Sequence, residues 1–116
     1  MLVLCYPSCS TCKKALHWLD EHAIPYELRD IKLERPTQEE LTDWYHKSGL
    51  SLKRFFNTSG LVYRELNLKD QLAAMSEEQM LSVLATDGML VKRPLVVGDD
   101  FVLTGFRVAD WDNTLL

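Results

Sequence analysis

Cys9-Ser10-Thr11-Cys12 is a C-x-x-C motif. Two thiols at that spacing can exchange electrons as a dithiol, supply half of a zinc site, or pack without reacting. The position of the motif separates these readings. It follows the apolar run Met1 to Tyr6 and a Pro7-Ser8 break, and it opens a stretch with helical periodicity. A thiol at the first turn of a helix faces unpaired backbone N–H groups and the positive end of the macrodipole, both of which favour thiolate over thiol. The attacking sulfur is therefore expected at Cys9. Cys12 lies one turn further along, on the stripe that faces the core, so it can close a disulfide with Cys9 but is poorly placed to meet a substrate. Lys13 and Lys14 add positive charge at the helix start, where solvent screens it.

A zinc site needs two more ligands. There is no second C-x-x-C, Cys5 belongs to a strand-like run, and His17, His22 and His46 are not spaced as a metal pair. No metal is expected, and the histidines are read as surface or packing residues. Cys5 is read as a small core hydrophobe. All three cysteines fall within the first dozen residues, so they cannot cross-link distant parts of a secreted scaffold. Arg93-Pro94-Leu95 is the second candidate feature. Proline is tolerated at a strand start, and an arginine beside it would project toward the dithiol, where a guanidinium could grip an oxyanion or stabilise a thiolate. Ser10, Thr11, Arg93 and Pro94 are taken as the substrate-binding residues.

The elements that must position these groups follow from periodicity and caps. Met1 to Tyr6 reads as a buried strand and Ser10 to about Ala23 as a helix burying Cys12, Ala15, Leu16, Leu19 and Ala23. Pro25 to Ile31 reads as a second strand. Thr37 with Glu40 forms a capping box for a helix that carries Leu41, Trp44 and Tyr45 inward and stops at Gly49. Ser51 to Phe56 and Leu61 to Leu66 look like short helical pieces around the Asn57-Thr58-Ser59-Gly60 turn. Ser76 and Gln79 make another capping box, with Met75 and Met80 as its hydrophobic staple, for a helix ending near Ala85. Leu95 to Val97 and Phe101 to Leu103 flank Gly98-Asp99-Asp100 as a hairpin, and a last helix from Arg107 to Leu115 could bury Val108, Trp111 and Leu115. The order fits an α/β thioredoxin-like sandwich with a helical insertion between strand 2 and the C-terminal hairpin, in a single domain over residues 1–116.

Composition bounds the function. The chain is 47% hydrophobic and 26% charged, as an ordinary globular domain is. Its net charge of −4, with both signs interspersed, argues against direct nucleic-acid binding. No run approaches the roughly 20 apolar residues of a membrane span, and Met1 leads straight into a strand without a basic region or cleavage site, so a cytoplasmic location is expected.

Four segments together resemble the ArsC/Spx family of arsenate reductase-like proteins: Tyr6 to Ala15, Phe55 to Gly60, Tyr63 to Leu68, and Lys92 to Val97. The resemblance runs over essentially the whole chain. It implies a thioredoxin fold with a helical insertion and a cis proline at Pro94. It also implies a cysteine in the Cys9 slot that attacks arsenate, arginines that hold the oxyanion, and glutathione with glutaredoxin as reductant. Cys9 and Arg93 match those slots. Asn57 stands where the family has an arginine, and the arginine after the hairpin has only Arg107 nearby, so two of three charge-assisted contacts are expected to be missing, at roughly 1.5–3 kcal/mol each. Cys12 stands where glutathione-dependent arsenate reductases carry serine, and an internal Cys9–Cys12 disulfide is closer to Spx-type regulators, which sense oxidation and bind RNA polymerase. Two readings follow. One is a thiol–disulfide oxidoreductase that binds no cofactor, acts on a small thiol or oxyanion or on a redox partner protein, and draws on glutathione with glutaredoxin or on thioredoxin. The other is a redox regulator whose partner is RNA polymerase.

Overall fold

The computed structural model describes residues 1–116. Four strands form one sheet in the order β2-β1-β3-β4. They are β1 (Leu2–Cys5), β2 (Glu27–Asp30), β3 (Leu95–Val97) and β4 (Val102–Thr104). β1 is central. It pairs in parallel with β2, Leu4 opposite Arg29, and antiparallel with β3, Val3 opposite Val96. The hairpin β3–β4 completes the sheet, closed by Gly98 N–H donating to the Phe101 carbonyl at 2.9 Å.

Because side chains alternate along a strand, a sheet covered on both faces must divide the core in two. Val3, Cys5 and Val96 face one layer, made of α1 (Ser10–Glu21) and α6 (Val108–Leu115) through Cys12, Ala15, Trp18, Leu19 and Trp111. Leu4, Leu95 and Val97 face the other, larger layer. That layer is the helical insertion: α2 (Gln38–Ser48), a 3-10 turn Leu52–Phe55, α3 (Leu61–Glu65), α4 (Leu68–Gln71) running into a 3-10 turn, and α5 (Glu77–Leu84). The α/β architecture and the place of the insertion are as read from the sequence.

Local chemistry sets the helix ends. Thr37 and Glu40 make the reciprocal capping box of α2, and Gly49, at φ 67°, ends that helix in the left-handed region. Ser76 and Gln79 do the same at the start of α5. Three expectations change. α4 was not anticipated: Leu68 and Leu72, four residues apart, are its buried contacts, in a stretch otherwise too polar and short to show periodicity. Val108 is 49% exposed, because α6 is anchored by Trp111, its Nε1 donating to the Gly105 carbonyl at 3.2 Å, with Leu115 packed partly buried beside it. Ala23 is exposed at φ 54°, past the end of α1, so it belongs to the turn and not to the buried stripe.

Backbone hydrogen bonds outside the sheet fasten the insertion to the segment before β3 that carries Arg93. Lys92 N–H donates to the Phe55 carbonyl at 2.8 Å and Asn57 N–H to the Leu90 carbonyl at 2.7 Å, forming a bridge between Phe56 and Val91. Gly105 N–H donates to the Pro94 carbonyl at 2.9 Å. Gly88 lets the chain leading to this bridge pass the end of β2, since a β-carbon there would collide with the Ile31 carbonyl oxygen. Gly88→Ala is expected to destabilise the protein by about 1–3 kcal/mol, read as a lower denaturant midpoint; an unchanged midpoint would contradict the tight approach.

Arg29 on β2 grips Glu40 of α2 in a two-pronged pair at 2.7 and 3.0 Å. That guanidinium, with help from the Thr37 amide and against partial burial, holds the Glu40 carboxyl below its ordinary value of about 4.5. Stability from the pair is therefore complete above the ordinary carboxylate range and is lost as pH falls through the lower folded value. Glu40→Gln should cost about 1 kcal/mol at pH 7 and less at pH 3. Equal losses at the two pH values would show that the charge does not matter.

Candidate functional site

The site begins where β1 gives way to α1. Cys9 is the N-cap of α1, with extended backbone (φ −81°, ψ 116°), and its Sγ accepts a hydrogen bond from the Cys12 amide at 3.4 Å. A sulfur thus occupies the place that serine or aspartate normally fills, aimed at the free amides of the first turn. Cys9 is half-buried, whereas Cys12 is 1% exposed and Cys5 5%. All three are free thiols.

Cys9 opens on a cleft of about 720 Å³, bounded by the end of α1, the Ser51–Gly60 segment, Lys92-Arg93 and the turn after β4. Its ionisable lining residues other than Cys9 are Lys53, Arg54, Lys92, Arg93 and Arg107, five cations with no carboxylate among them. This corrects the expectation of a depleted cationic clamp. Asn57 does stand on the wall as a neutral group, but Arg54 from the preceding turn and Arg107 from the start of α6 share the wall with Arg93. The bridge between Phe56 and Val91 and the Gly105–Pro94 hydrogen bond bring these segments together, and neither can be read from local spacing. Arg54 lies directly before the Phe55-Phe56 pair in the sequence, which was the one available signal.

Thr11 and Arg93 line the cleft with Cys9, as expected. Ser10 does not: it is exposed, turned off the wall by the first turn of α1. Pro94 is buried behind the wall, its bond to Arg93 cis, and its carbonyl serves Gly105. Arg93 is held from two sides, Nη1 donating to the Met89 carbonyl at 3.3 Å and Cζ lying 5.7 Å from the centre of the Tyr6 ring. Its Nε is buried without a partner. An unpaired charged donor on an arginine at a cleft costs stability and leaves a ready contact for an anion.

Below Cys9 the two buried thiols are linked. The Cys5 thiol hydrogen-bonds the Cys12 sulfur, which lowers the proton affinity of Cys12 despite burial, with further lowering from the Tyr6 backbone, from Cys9 and from the Arg93 charge. Cys5 is correspondingly pushed up, first by its bond to Cys12 and then by burial. Cys5 does pack in the core, as the sequence suggested, but it also touches the resolving sulfur. His17 pairs with Glu21 on the surface and His22 meets the Trp18 carbonyl, both away from the cleft. No group of three or more His, Cys, Asp or Glu side chains is disposed to hold a metal ion, and no helix is long and apolar enough to cross a membrane.

Burial orders the reactivity of the three thiols. In the folded protein iodoacetamide should label Cys9 first, and Cys5 and Cys12 only at rates limited by opening of the structure. In denaturant all three should label alike. Labelling of Cys12 ahead of Cys9 would contradict the arrangement.

Comparison with known proteins agrees with this geometry. Bacillus subtilis protein YusI is 53% identical over 102 residues, covering 88% of this chain and 86% of its own. The regulatory protein MgsR of the same species is 30% identical, covering 88% of this chain and 79% of its own. Among solved structures, an ArsC family related protein from Bacteroides fragilis superposes with a TM-score of 0.94 at 54% identity, covering 97% of this chain and 94% of that one. A possible arsenate reductase from Streptococcus mutans gives 0.87 at 44% identity, covering 96% of each. The ArsC family model matches residues 4–114, and with a cysteine-capped helix, a cis Arg93–Pro94 bond and a helical insertion all in place, the chain belongs to the ArsC family.

Proposed function

We propose that the protein is an arsenate reductase-like thiol–disulfide oxidoreductase in which Cys9 attacks and Cys12 resolves. One observation carries this reading: the half-buried sulfur that caps α1 stands over a second thiol in a cleft whose other ionisable lining groups are all cationic. With an oxyanion, the Cys9 thiolate displaces an oxygen ligand from the central atom and forms a covalent S–As(V) adduct in the case of arsenate. Cys12 then attacks the Cys9 sulfur, the S–As bond breaks with its electron pair staying on arsenic, and arsenite leaves as the Cys9–Cys12 disulfide forms. With a disulfide substrate the same two attacks release two thiols. An external thiol system, glutathione with glutaredoxin or thioredoxin, restores the dithiol.

Arg93, Arg54 and Arg107 are the groups that hold the anion as negative charge develops on its oxygens, and Thr11 and Asn57 offer neutral polar contacts. A coupled assay following thiol-dependent reduction of arsenate and of a model disulfide tests the proposal. Cys9→Ser should abolish both activities. Arg93→Ala should lower kcat/KM for the oxyanion by about 10- to 100-fold, as expected for loss of one charge-assisted contact, with a smaller effect on a neutral disulfide. Absence of turnover with either substrate would overturn the enzyme reading.

A second reading is a Spx-type redox-responsive regulator that contacts RNA polymerase, with the Cys9–Cys12 pair as its sensor; the similarity to the regulatory protein MgsR supports its regulatory part. Pull-down of RNA polymerase with the reduced and the oxidised protein separates it from the first. Retention that depends on the redox state favours the regulator; none in either state eliminates it.

A further inference from the structure

The pleat of β1 decides which sulfurs meet. Val3 and Cys5 point to the α1 layer while Leu4 points to the insertion, and α1 turns Cys12 inward toward that same layer. Cys12 is therefore the middle of three sulfurs. Cys9 lies on its cleft side, its Sγ accepting from the Cys12 backbone amide, and Cys5 lies on its sheet side, its thiol bonded to the Cys12 sulfur. A disulfide is exchanged by attack of a third sulfur on one member of the bridge, and Cys5 is a buried thiol in the same core layer and on the same cavity wall as the resolving member.

We propose that Cys5 is a third redox thiol, which attacks Cys12 in the oxidised protein and moves the bridge from Cys9–Cys12 to Cys5–Cys12, returning Cys9 to the cleft as a free thiol. The proposal rests on the dithiol reading above. In the exchange the Cys9–Cys12 bond breaks as the Cys5–Cys12 bond forms, Cys9 departs with the electron pair, and the proton that Cys5 gives up ends on Cys9. No further oxidant or reductant enters. The two-electron oxidation delivered at Cys9 is conserved and now sits in the core.

Two features favour the exchange once the upper bridge has formed. In the reduced protein the Cys5 proton is retained chiefly by the hydrogen bond to Cys12, by burial and by negative charge on the other two sulfurs. Bridging Cys9 to Cys12 removes both charges, so that burial still holds the proton but only Arg93, which loosens it, remains as a charge beside it. Oxidation of the upper pair thus prepares the lower thiol to attack. A second cavity, of about 390 Å³, is lined by Cys5 and Cys12 together with Leu16 of α1 and Leu28 of β2. It leaves space beside the two thiols.

The consequence is a protein whose oxidised form still presents a nucleophile to the cleft. A second oxyanion or disulfide substrate can then be engaged by Cys9 while the first oxidation remains stored beneath it.

The test uses the full chain. Reduced protein is oxidised with one equivalent of diamide, quenched in acid, unfolded, and its remaining free thiol tagged with iodoacetamide. The bridge is then reduced and its two cysteines are marked with a different alkylating agent. Fragmentation of the tryptic peptide Met1–Lys13 by mass spectrometry locates each label. The expected result is a shift of the first tag from Cys5 to Cys9 in a substantial share of the chains, and a Cys5–Cys12 bridge in Cys9→Ser oxidised in the same way. First tags confined to Cys5 in the wild type, with folded Cys9→Ser remaining unbridged, would overturn the relay and leave the Cys9–Cys12 dithiol standing. First tags on all three cysteines would remove the dithiol reading and the relay together.

Discussion

β1 is hydrogen-bonded along both edges, in parallel to β2 and antiparallel to β3, and this double pairing sets where the chain emerges into the site. A strand held on both sides cannot shift by one residue without turning Val3 and Cys5 into the wrong layer and breaking both ladders. Its carboxyl end is fixed, so the short Tyr6-Pro7-Ser8 link delivers Cys9 to the cap of α1, with Cys9 N–H bonded to the Tyr6 carbonyl at 3.0 Å. β3, the neighbour on the other side, brings Arg93 to the same end of the sheet. The three sulfurs and the arginine meet because they are attached to adjacent strands of one rigid ladder.

The remaining cations depend on a second constraint. The insertion is joined to the rest of the chain by its apolar layer against Leu4, Leu95 and Val97, and by the hydrogen bonds around Phe56 and Val91. The apolar layer supplies most of the stabilisation, because burial scales with area and this cluster holds 17 buried residues. The few hydrogen bonds supply register, and they decide that Arg54 and Asn57 face Arg93 across the cleft. Gly88, pressed against the Ile31 carbonyl, belongs to the same device.

What could be read from residues alone follows from the range of each interaction. The capping boxes at Thr37 and Ser76, the Gly49 stop and the dithiol at a helix start are all settled within four residues, and each stands where the local pattern placed it. The cationic wall is not legible locally because Arg54 and Lys92 are far apart in sequence and joined only by the folded bridge. Strand alternation could have put Cys5 on the α1 face, but it gives no means of knowing that Cys12 lies opposite. Ser10 and Pro94 were assigned to the substrate by adjacency to reactive neighbours. One residue along a helix start turns a side chain through about 100°, which is enough to take Ser10 off the wall.

The five positive charges that line the cleft belong to a chain whose net charge is −4, so the rest of the molecule carries a net −9. The lining charge is thus opposite in sign to the net charge of the rest of the molecule. A small anion arriving at the mouth meets five positive charges on the walls and no carboxylate. Capture of a small anion is guided over a distance of about one Debye length, roughly 8 Å at physiological salt, and its association rate falls as ionic strength rises. Neutral molecules of the same size receive no such guidance, and the molecule thus selects among solutes before any of them has touched the sulfur.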